Sequence, residues 1–353
     1  MDCKAGEDAG IISRRVEIRQ ARTGPEVQEG QTLLEAALAA GIPYPHGCRS
    51  GRCGSCKSRL IEGEVELLPH SRFALTDDEK ADGLILACRA LPLTDAAVAW
   101  LGSDETDAAL PSRRLTGFVT WLEDLTHDIR LVRIATQDRE ALHFAAGQYA
   151  QVSFNGAPAR SYSMANQQGG DSLEFHIRRV PGGAASEHVH IALSIGDTAE
   201  LELPLGSSFL RQHHSGPILC IAGGSGLAPI KSIVETALSH GMKQPIHVYF
   251  GVRAPRDLYL VEHFQALARQ HANLAFTPVL SEAPSAQHRS GYVTQAVEED
   301  LADLNGWKAY VAGPPPMVDA AMQTAFARGL RREDMHADVF FTPETLRGPE
   351  TVE

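Results

Sequence analysis

Four cysteines are the first residues whose types and spacing promise chemistry. Cys48, Cys53 and Cys56 stand in the run Cys-Arg-Ser-Gly-Arg-Cys-Gly-Ser-Cys, and Cys88 follows further on. This C-x4-C-x2-C…C pattern is the plant-type 2Fe-2S ligand spacing. Iron needs thiolates that converge from one side. Gly47, Gly51 and Gly54 let the backbone curl around inorganic sulfides and offer N–H groups to them. A structural zinc site is the alternative, but zinc ligands usually come as two separated cysteine pairs. Of the six cysteines, Cys220 lies in the apolar run Pro217-Ile-Leu-Cys-Ile-Ala222 and is expected in a core, and Cys3 in a polar tail.

A second constellation is Arg160-Ser-Tyr162-Ser163-Met-Ala-Asn166, which alone could be a polar turn with a buried tyrosine. Further on, Arg178-Arg-Val-Pro-Gly182-Gly183-Ala-Ala-Ser186 places two glycines and a hydroxyl before a helix, where unpaired N–H groups suit a pyrophosphate. Together they point to a flavin site. Arg160 would neutralise phosphate, Tyr162 would pack its ring on the flavin, and the Ser163 hydroxyl would bond near the reactive flavin nitrogen.

The third is Gly223-Gly224-Ser225-Gly226-Leu-Ala-Pro229, between a strand and a helix in the geometry that cradles dinucleotides. It is not G-x-G-x-x-G, because Pro229 takes the third glycine's place. A tight turn of any α/β fold would look similar, but two more strand ends add to it. Gly251-Val-Arg253 offers a cation, and Ala312-Gly313-Pro314-Pro-Pro-Met317 opens a helix; ligands bind at such carboxyl ends of parallel strands. Glu282, after the strand Ala275–Leu280, could accept the adenosine ribose hydroxyls and repel a 2′-phosphate, favouring NADH with NADPH still usable; otherwise it is a solvated loop charge.

These residues need positioning elements. Residues 14–20 alternate as a strand, and Thr32-Leu-Leu-Glu35 has the form of a capping box opening a helix that stops at Gly41. A strand Lys57–Ile61 and a returning segment to Cys88 complete a small module. Residues 106–114 lie in an aperiodic stretch with Gly, Ser and Pro and are expected as a linker. Short strand-like runs, Thr116–Leu122, Ile129–Ile134, Tyr149–Phe154 and Leu173–Arg178, suggest an antiparallel barrel. Beyond Gly216, strands Pro217–Ala222, Ile246–Gly251, Ala275–Leu280 and Ala309–Ala312 alternate with helices, including Pro229–Ser239 and Glu262–His271, which means a parallel α/β sheet. The expected domains are 1–105 with the cysteines, 115–213 as the flavin barrel and 214–353 as the nicotinamide domain.

Composition bounds the rest. The 353 residues suffice for two or three cores, with 43% hydrophobic and 22% charged residues. No run approaches the roughly 18 apolar residues of a membrane helix, and the polar, acidic opening lacks the form of a secretion signal, so a cytoplasmic chain is expected. A formal charge of −12 argues against nucleic-acid binding. Against that acidity, His46, Arg49, Arg52, Lys57 and Arg59 crowd the cysteine loop, and a basic rim there would suit an acidic redox acceptor.

The three segments, in this order, resemble the reductase components of ring-hydroxylating dioxygenase systems, within the ferredoxin–NADP reductase superfamily. Beyond the cysteines the resemblance is carried by Thr126-His-Asp-Ile-Arg130, Gly147-Gln-Tyr149, Arg160–Ala165, Val180-Pro-Gly-Gly183, Gly223–Pro229, Gly251-Val-Arg253, His288-Arg-Ser-Gly291 and His336-Ala-Asp-Val-Phe340. It implies a β-grasp ferredoxin domain, a six-stranded antiparallel FAD barrel and an α/β NAD domain. It implies FAD, one 2Fe-2S cluster and NADH as cofactors, with electrons leaving for a Rieske-type terminal oxygenase or its ferredoxin. A monomer is expected.

Ser163 and Phe340 are the expected catalytic residues, Phe340 covering the flavin face until nicotinamide displaces it. Cofactor contacts are expected from Arg160, Tyr162, Ser163, His176, Arg178, Gly182, Gly183, Ser186, Gly223, Gly224, Ser225, Gly226, Arg253, Glu282, Gly313, Pro314, Met317 and Phe340. Cys48, Cys53, Cys56 and Cys88 are the metal ligands. Ala312 stands where the family usually has cysteine, which removes any thiol contribution there. His127 is read as structural, since hydride transfer needs no protein proton donor at the transferring carbon. A multicomponent monooxygenase or sugar dehydratase as acceptor, and a redox sensor without turnover, are the competing readings.

Overall fold

The computed structural model describes residues 13–21, 23–101, 112–138, 142–283, 287–342 and 351–352. The chain forms two compact units, Met1–Ala109 with Pro349–Glu353, and Leu110–Gly348. Residues 106–111 of the expected linker lie outside the described residues. Arg113 and Arg114, at its end, already belong to a strand, where they pair with Leu203 and Glu202.

In the first unit β1 (Ser13–Ile18), β2 (Glu26–Gln28), α1 (Leu33–Ala39), β3 (Lys57–Glu62), β4 (Val65–Leu67), β5 (His70–Ser71), α2 (Asp77–Ala81), β6 (Leu84–Leu86), β7 (Ala90–Pro92) and β8 (Ala96–Trp100) follow in order. The main sheet runs β2-β1-β8-β3-β6, with β1 and β8 parallel and the other pairs antiparallel, which is the β-grasp arrangement. The capping box forms as its sequence requires. The Thr32 hydroxyl accepts the Glu35 N–H, and the Glu35 carboxylate accepts the Thr32 N–H at 2.9 Å. Such a cap stabilises a helix by about 1 kcal/mol. Leu33, Leu34, Ala36 and Ala37 of α1 are buried in one core with Val16, Ile18, Leu86 and Val98.

The second unit opens with an antiparallel sheet of β9 (Arg113–Asp124), β10 (Ile129–Thr136), β11 (Tyr149–Phe154), β12 (Arg160–Ser163), β13 (Ser172–Arg178) and β14 (Thr198–Leu205), in the order β12-β11-β14-β9-β10-β13. A bridge between Met164 and Phe175 brings the two edges together and closes the barrel. Helix α3 (Ala184–Ile191) lies between β13 and β14 in sequence.

A parallel sheet follows, ordered β18-β17-β16-β15-β19-β20 from β15 (Ile218–Gly223), β16 (Ile246–Val252), β17 (Leu274–Leu280), β18 (Arg289–Ser290), β19 (Lys308–Gly313) and β20 (Met335–Val339). All its pairs are parallel. Its connecting helices are α4 (Leu227–Ser239), α5 (Val261–Gln270), α6 (Val293–Asp300) and α7 (Pro315–Ala327). Every residue of the central β15 is buried, as a strand covered on both faces must be. In the first unit, β21 (Thr351–Val352) pairs antiparallel with β5. Among the described residues no helix is long and apolar enough to cross a membrane.

Candidate functional site

The cysteine loop of the first unit turns its backbone toward sulfur. Ser50 and Arg52 donate their N–H groups to Cys48 Sγ at 3.4 and 3.2 Å, Cys48 donates to Cys53 Sγ at 3.3 Å, and Cys88 donates to Cys56 Sγ at 3.4 Å. Gly51 makes the curl possible. Its φ is +72°, and a Cβ there would lie 2.8 Å from Arg89 Cγ and 2.9 Å from His70 Cβ.

The four thiols form two hydrogen-bonded pairs, Cys48 with Cys53 and Cys56 with Cys88. The hydrogen bond from Cys53, aided by the Ser50 and Arg52 N–H groups, brings Cys48 down to about 5, and Cys56 likewise lowers Cys88. Their partners Cys53 and Cys56 are pushed up by the same bonds and by burial. Among the described residues no three His, Cys, Asp or Glu side chains gather as one metal ion would require. Two adjacent thiol pairs fit the four thiolates of a binuclear cluster.

Lys57 Nζ is paired with Glu79 at 2.7 Å, while Arg59 donates from Nη1 to the Asp82 carbonyl at 2.7 Å and stays exposed. Arg49, Arg52 and Arg72 are exposed.

In the second unit, β12 carries the Arg160–Ser163 run against β11, with Ser163 opposite Tyr149 and Tyr162 opposite Ala150. Arg160 is exposed, Tyr162 half-buried with its hydroxyl pushed up to about 12 by burial, and Ser163 buried. The exposed cation and half-buried ring suit a phosphate and a flavin. Gly183 is the N-cap of α3 with no side-chain bond to the helix start; its own N–H donates to the Val180 carbonyl at 2.9 Å and that of Gly182 to Glu187 at 3.3 Å, so an anion here would be met by the first N–H groups of the helix itself. The Ser186 hydroxyl accepts the Val180 N–H at 3.1 Å and donates to the Gly183 carbonyl at 3.0 Å. It therefore holds the turn in place.

His176 departs from the expected role as a cofactor contact. Its side chain is fully buried, Nε2 lies 3.2 Å from Glu174 Oε1 and Nδ1 lies 3.3 Å from the Tyr259 hydroxyl, so both nitrogens are occupied by protein. Arg178 remains exposed, donates to Asp128 at 2.7 Å and reaches over the glycine loop. Its Nη1 is 3.5 Å from where a Gly224 Cβ would stand.

The nicotinamide loops meet one another and the end of β20. A Cβ on Gly226 would lie 2.1 Å from the Ala312 carbonyl oxygen, and one on Gly223 would lie 2.5 Å from Met317 Sδ. Only glycine allows this approach. Phe340 donates its N–H to the Gly313 carbonyl at 2.8 Å, and Ser163 donates to Asp338 Oδ2 at 2.8 Å. Ser163, Asp338, Phe340, Gly313 and Gly223 are thus linked, whereas Arg253 and Glu282 form an exposed pair of their own at 3.5 Å.

Comparison with known proteins decides what this arrangement is. Three family models match in order: a 2Fe-2S iron–sulfur cluster binding domain over residues 17–93, an oxidoreductase FAD-binding domain over 118–209 and an oxidoreductase NAD-binding domain over 220–323. The ferredoxin–NAD(P)(+) reductase component of the naphthalene 1,2-dioxygenase/salicylate 5-hydroxylase systems of Ralstonia sp is 39% identical over 89% of this chain and 94% of its own. The chain belongs to the reductase components of oxygenase systems, within the ferredoxin–NADP reductase superfamily. The reductase subunit of an Amycolatopsis aromatic O-demethylase is 38% identical over 89% of this reductase and 95% of its own chain. Among solved structures, an Amycolatopsis cytochrome P450 reductase matches with a TM-score of 0.76 at 36% identity, covering 93% of this chain and 98% of that one. This reductase is an oxidoreductase that uses FAD, a 2Fe-2S cluster and NADH.

Within the reductase, Asp338 is the site residue that motif reading passed over. It stands inside the quoted His336–Phe340 run, two residues before Phe340, in the alternating segment Met335–Val339 that forms β20. Burial pushes its carboxyl up to about 6, against the hydrogen bond from Ser163.

Proposed function

We propose that this reductase delivers electrons from NADH, through FAD and the cluster held by Cys48, Cys53, Cys56 and Cys88, to the oxygenase or ferredoxin component of an aromatic ring-hydroxylating dioxygenase system. The observation that carries the reading is the convergence of Ser163, Asp338, Phe340 and the Gly223 and Gly313 loops in a chain that also holds two thiol pairs. When bound, FAD accepts a hydride and releases its electrons singly, and the cluster carries them onward. The protein's residues bind and orient. Arg160 and the start of α3 take phosphate, the Tyr162 ring packs on the flavin, and Phe340, hydrogen-bonded at its N–H to Gly313, covers the flavin face. The Ser163 hydroxyl donates to the Asp338 carboxylate, and a carboxyl near 6 could take, close to neutral pH, the proton that a reduced flavin would release as its two electrons leave, and pass it on to solvent. Glu282 favours NADH over NADPH by charge repulsion.

The acceptor is read from the exposed Arg49, Arg52 and Arg72 around the cluster loop of an acidic chain. Redox encounters bury little area, so complementary charge does much of the orienting, and the partner should present an acidic face. The Debye length falls from about 10 Å at 0.1 M salt to about 3 Å at 1 M, so acceptor reduction should slow steeply with salt. Stopped-flow measurement of Arg52→Glu should show slow transfer to the native acceptor and unaltered flavin reduction. Insensitivity to both salt and charge reversal would defeat the docking reading. A monooxygenase or demethylase acceptor is the second reading, favoured by relatives such as the Amycolatopsis O-demethylase subunit. Reduction assays on oxygenase components of each class separate the two.

A further inference from the structure

Helix α4 begins directly after the glycine loop, and its Lys231 points away from solvent, with a side chain only 12% exposed. An ammonium has three hydrogens, and Nζ finds three oxygens: the Ala165 carbonyl at 3.2 Å, Glu174 Oε1 at 3.3 Å and Glu235 Oε2 at 3.3 Å. The neighbouring Ser232 hydroxyl donates to the Asn166 carbonyl at 2.7 Å. Consecutive residues of the nucleotide-loop helix thus grip consecutive carbonyls of the segment that leaves Ser163.

The grip is braced on both sides. Burial opposes ionisation of Glu174, but His176, Lys231 and Arg133 together hold its carboxyl down at about 2. Arg133 contributes Nε and Nη2 at 3.1 and 3.0 Å. Glu235 receives His263 Nε2 of α5 at 2.7 Å. From Glu174 the contacts run through His176 to the Tyr259 hydroxyl, which also lies 3.3 Å from the Gly224 carbonyl of the glycine loop. Lys231 is the one ammonium that reaches both Glu174 and Glu235, so its loss would leave Glu174 to Arg133 and His176 and Glu235 to His263, with one positive charge fewer among two buried carboxylates.

We propose that Lys231 is a positioning residue that locks the start of α4 to the Ala165–Asn166 segment and thereby fixes the glycine loop against the flavin strand. The inference rests on the nicotinamide and flavin assignments above. Hydride transfer is steep in donor–acceptor placement, and a misplacement of about 1 Å can cost a hundredfold. Lys231 touches neither ligand phosphate nor ring in this account, so its loss should appear in the rate and hardly in NADH affinity.

The test is stopped-flow flavin reduction by NADH in the FAD-loaded full chain, with hydrogen–deuterium exchange as a readout independent of turnover. Lys231→Gln should lower the limiting reduction rate about tenfold or more, with little change in the NADH concentration for half-maximal rate. It should also speed exchange in peptides covering residues 162–168 and 223–232, and Lys231→Arg should restore most of both. Ser232→Ala, which leaves the charges intact, should move both readouts the same way by a smaller factor, and it decides the matter if Lys231→Gln does not fold. A wild-type limiting rate and wild-type exchange in either folded variant would overturn the proposal. Failure of the functional reading itself would show differently, as no NADH-driven flavin reduction in the unmodified protein.

Discussion

The cluster loop and the flavin–nicotinamide site solve opposite positioning problems. Three of the four thiols come from one short loop, and backbone N–H groups of the same loop hold the sulfurs. The second site is assembled from segments far apart in the chain: Ser163 and Asp338 are separated by 175 positions. Local geometry can be written as spacing. Convergent geometry must be written as a fold, so the two sites should fail in different ways.

The sharpest break between them is Cys56→Ser. It should abolish reduction of one-electron protein acceptors while NADH-to-ferricyanide turnover survives, because the flavin takes hydride without the cluster. Equal loss of both activities in a folded, FAD-loaded variant would contradict that order of transfer. Gly226→Val is the converse. A side chain placed 2.1 Å from the Ala312 carbonyl must push two loops apart, and NADH-driven flavin reduction should fall about a hundredfold or more. The visible spectrum of the cluster should stay unchanged, and coupled loss of that spectrum would show that the sites are not independent.

Asp338→Asn tests the proton transfer within the second site. An ionised carboxylate must accept the proton, so wild-type turnover should fall as pH drops through about 6. In the variant, turnover at pH 7 should be lower by about tenfold and the inflection near 6 should vanish from the pH–rate profile. Persistence of that inflection would assign it to another group. The smallest effect belongs to the exposed Arg253–Glu282 pair. A charge repulsion worth on the order of 1 kcal/mol gives an NADH preference in kcat/KM of roughly tenfold, and Glu282→Ala should remove most of it. Comparable NADPH kinetics before and after the change would dispose of the argument.

Much of this was legible in the residues, and the limits have physical causes. Thr32 and Glu35 declare a helix because capping is a local contest for a few N–H groups, and the helix forms from Leu33 to Ala39. Thr76 and Glu79 make the same box at α2, a signal present in the sequence and not taken up. Strand β20 was not taken up, although Met335-His-Ala-Asp-Val339 alternates apolar and polar residues as a strand does; its residues are all half-buried at the sheet edge. It exists through pairing with β19, and with it comes Asp338. His176 misled for a related reason. A histidine between a flavin run and a glycine pair looks like a ligand, and only the fold shows Glu174 and Tyr259 on its two nitrogens.

The pairing of β20 at the sheet edge also sets an order of maturation. On the ribosome, amino-terminal domains fold first, and the thiols of the first unit are all synthesised once Cys88 has emerged. Until β20 is made, the far edge of β19 has no partner, and the hydroxyl of Ser163 waits for its carboxylate. A nascent chain therefore holds all four cluster thiols long before its flavin–nicotinamide site can close, while β21, which pairs with β5 of the first unit, is made only after β20.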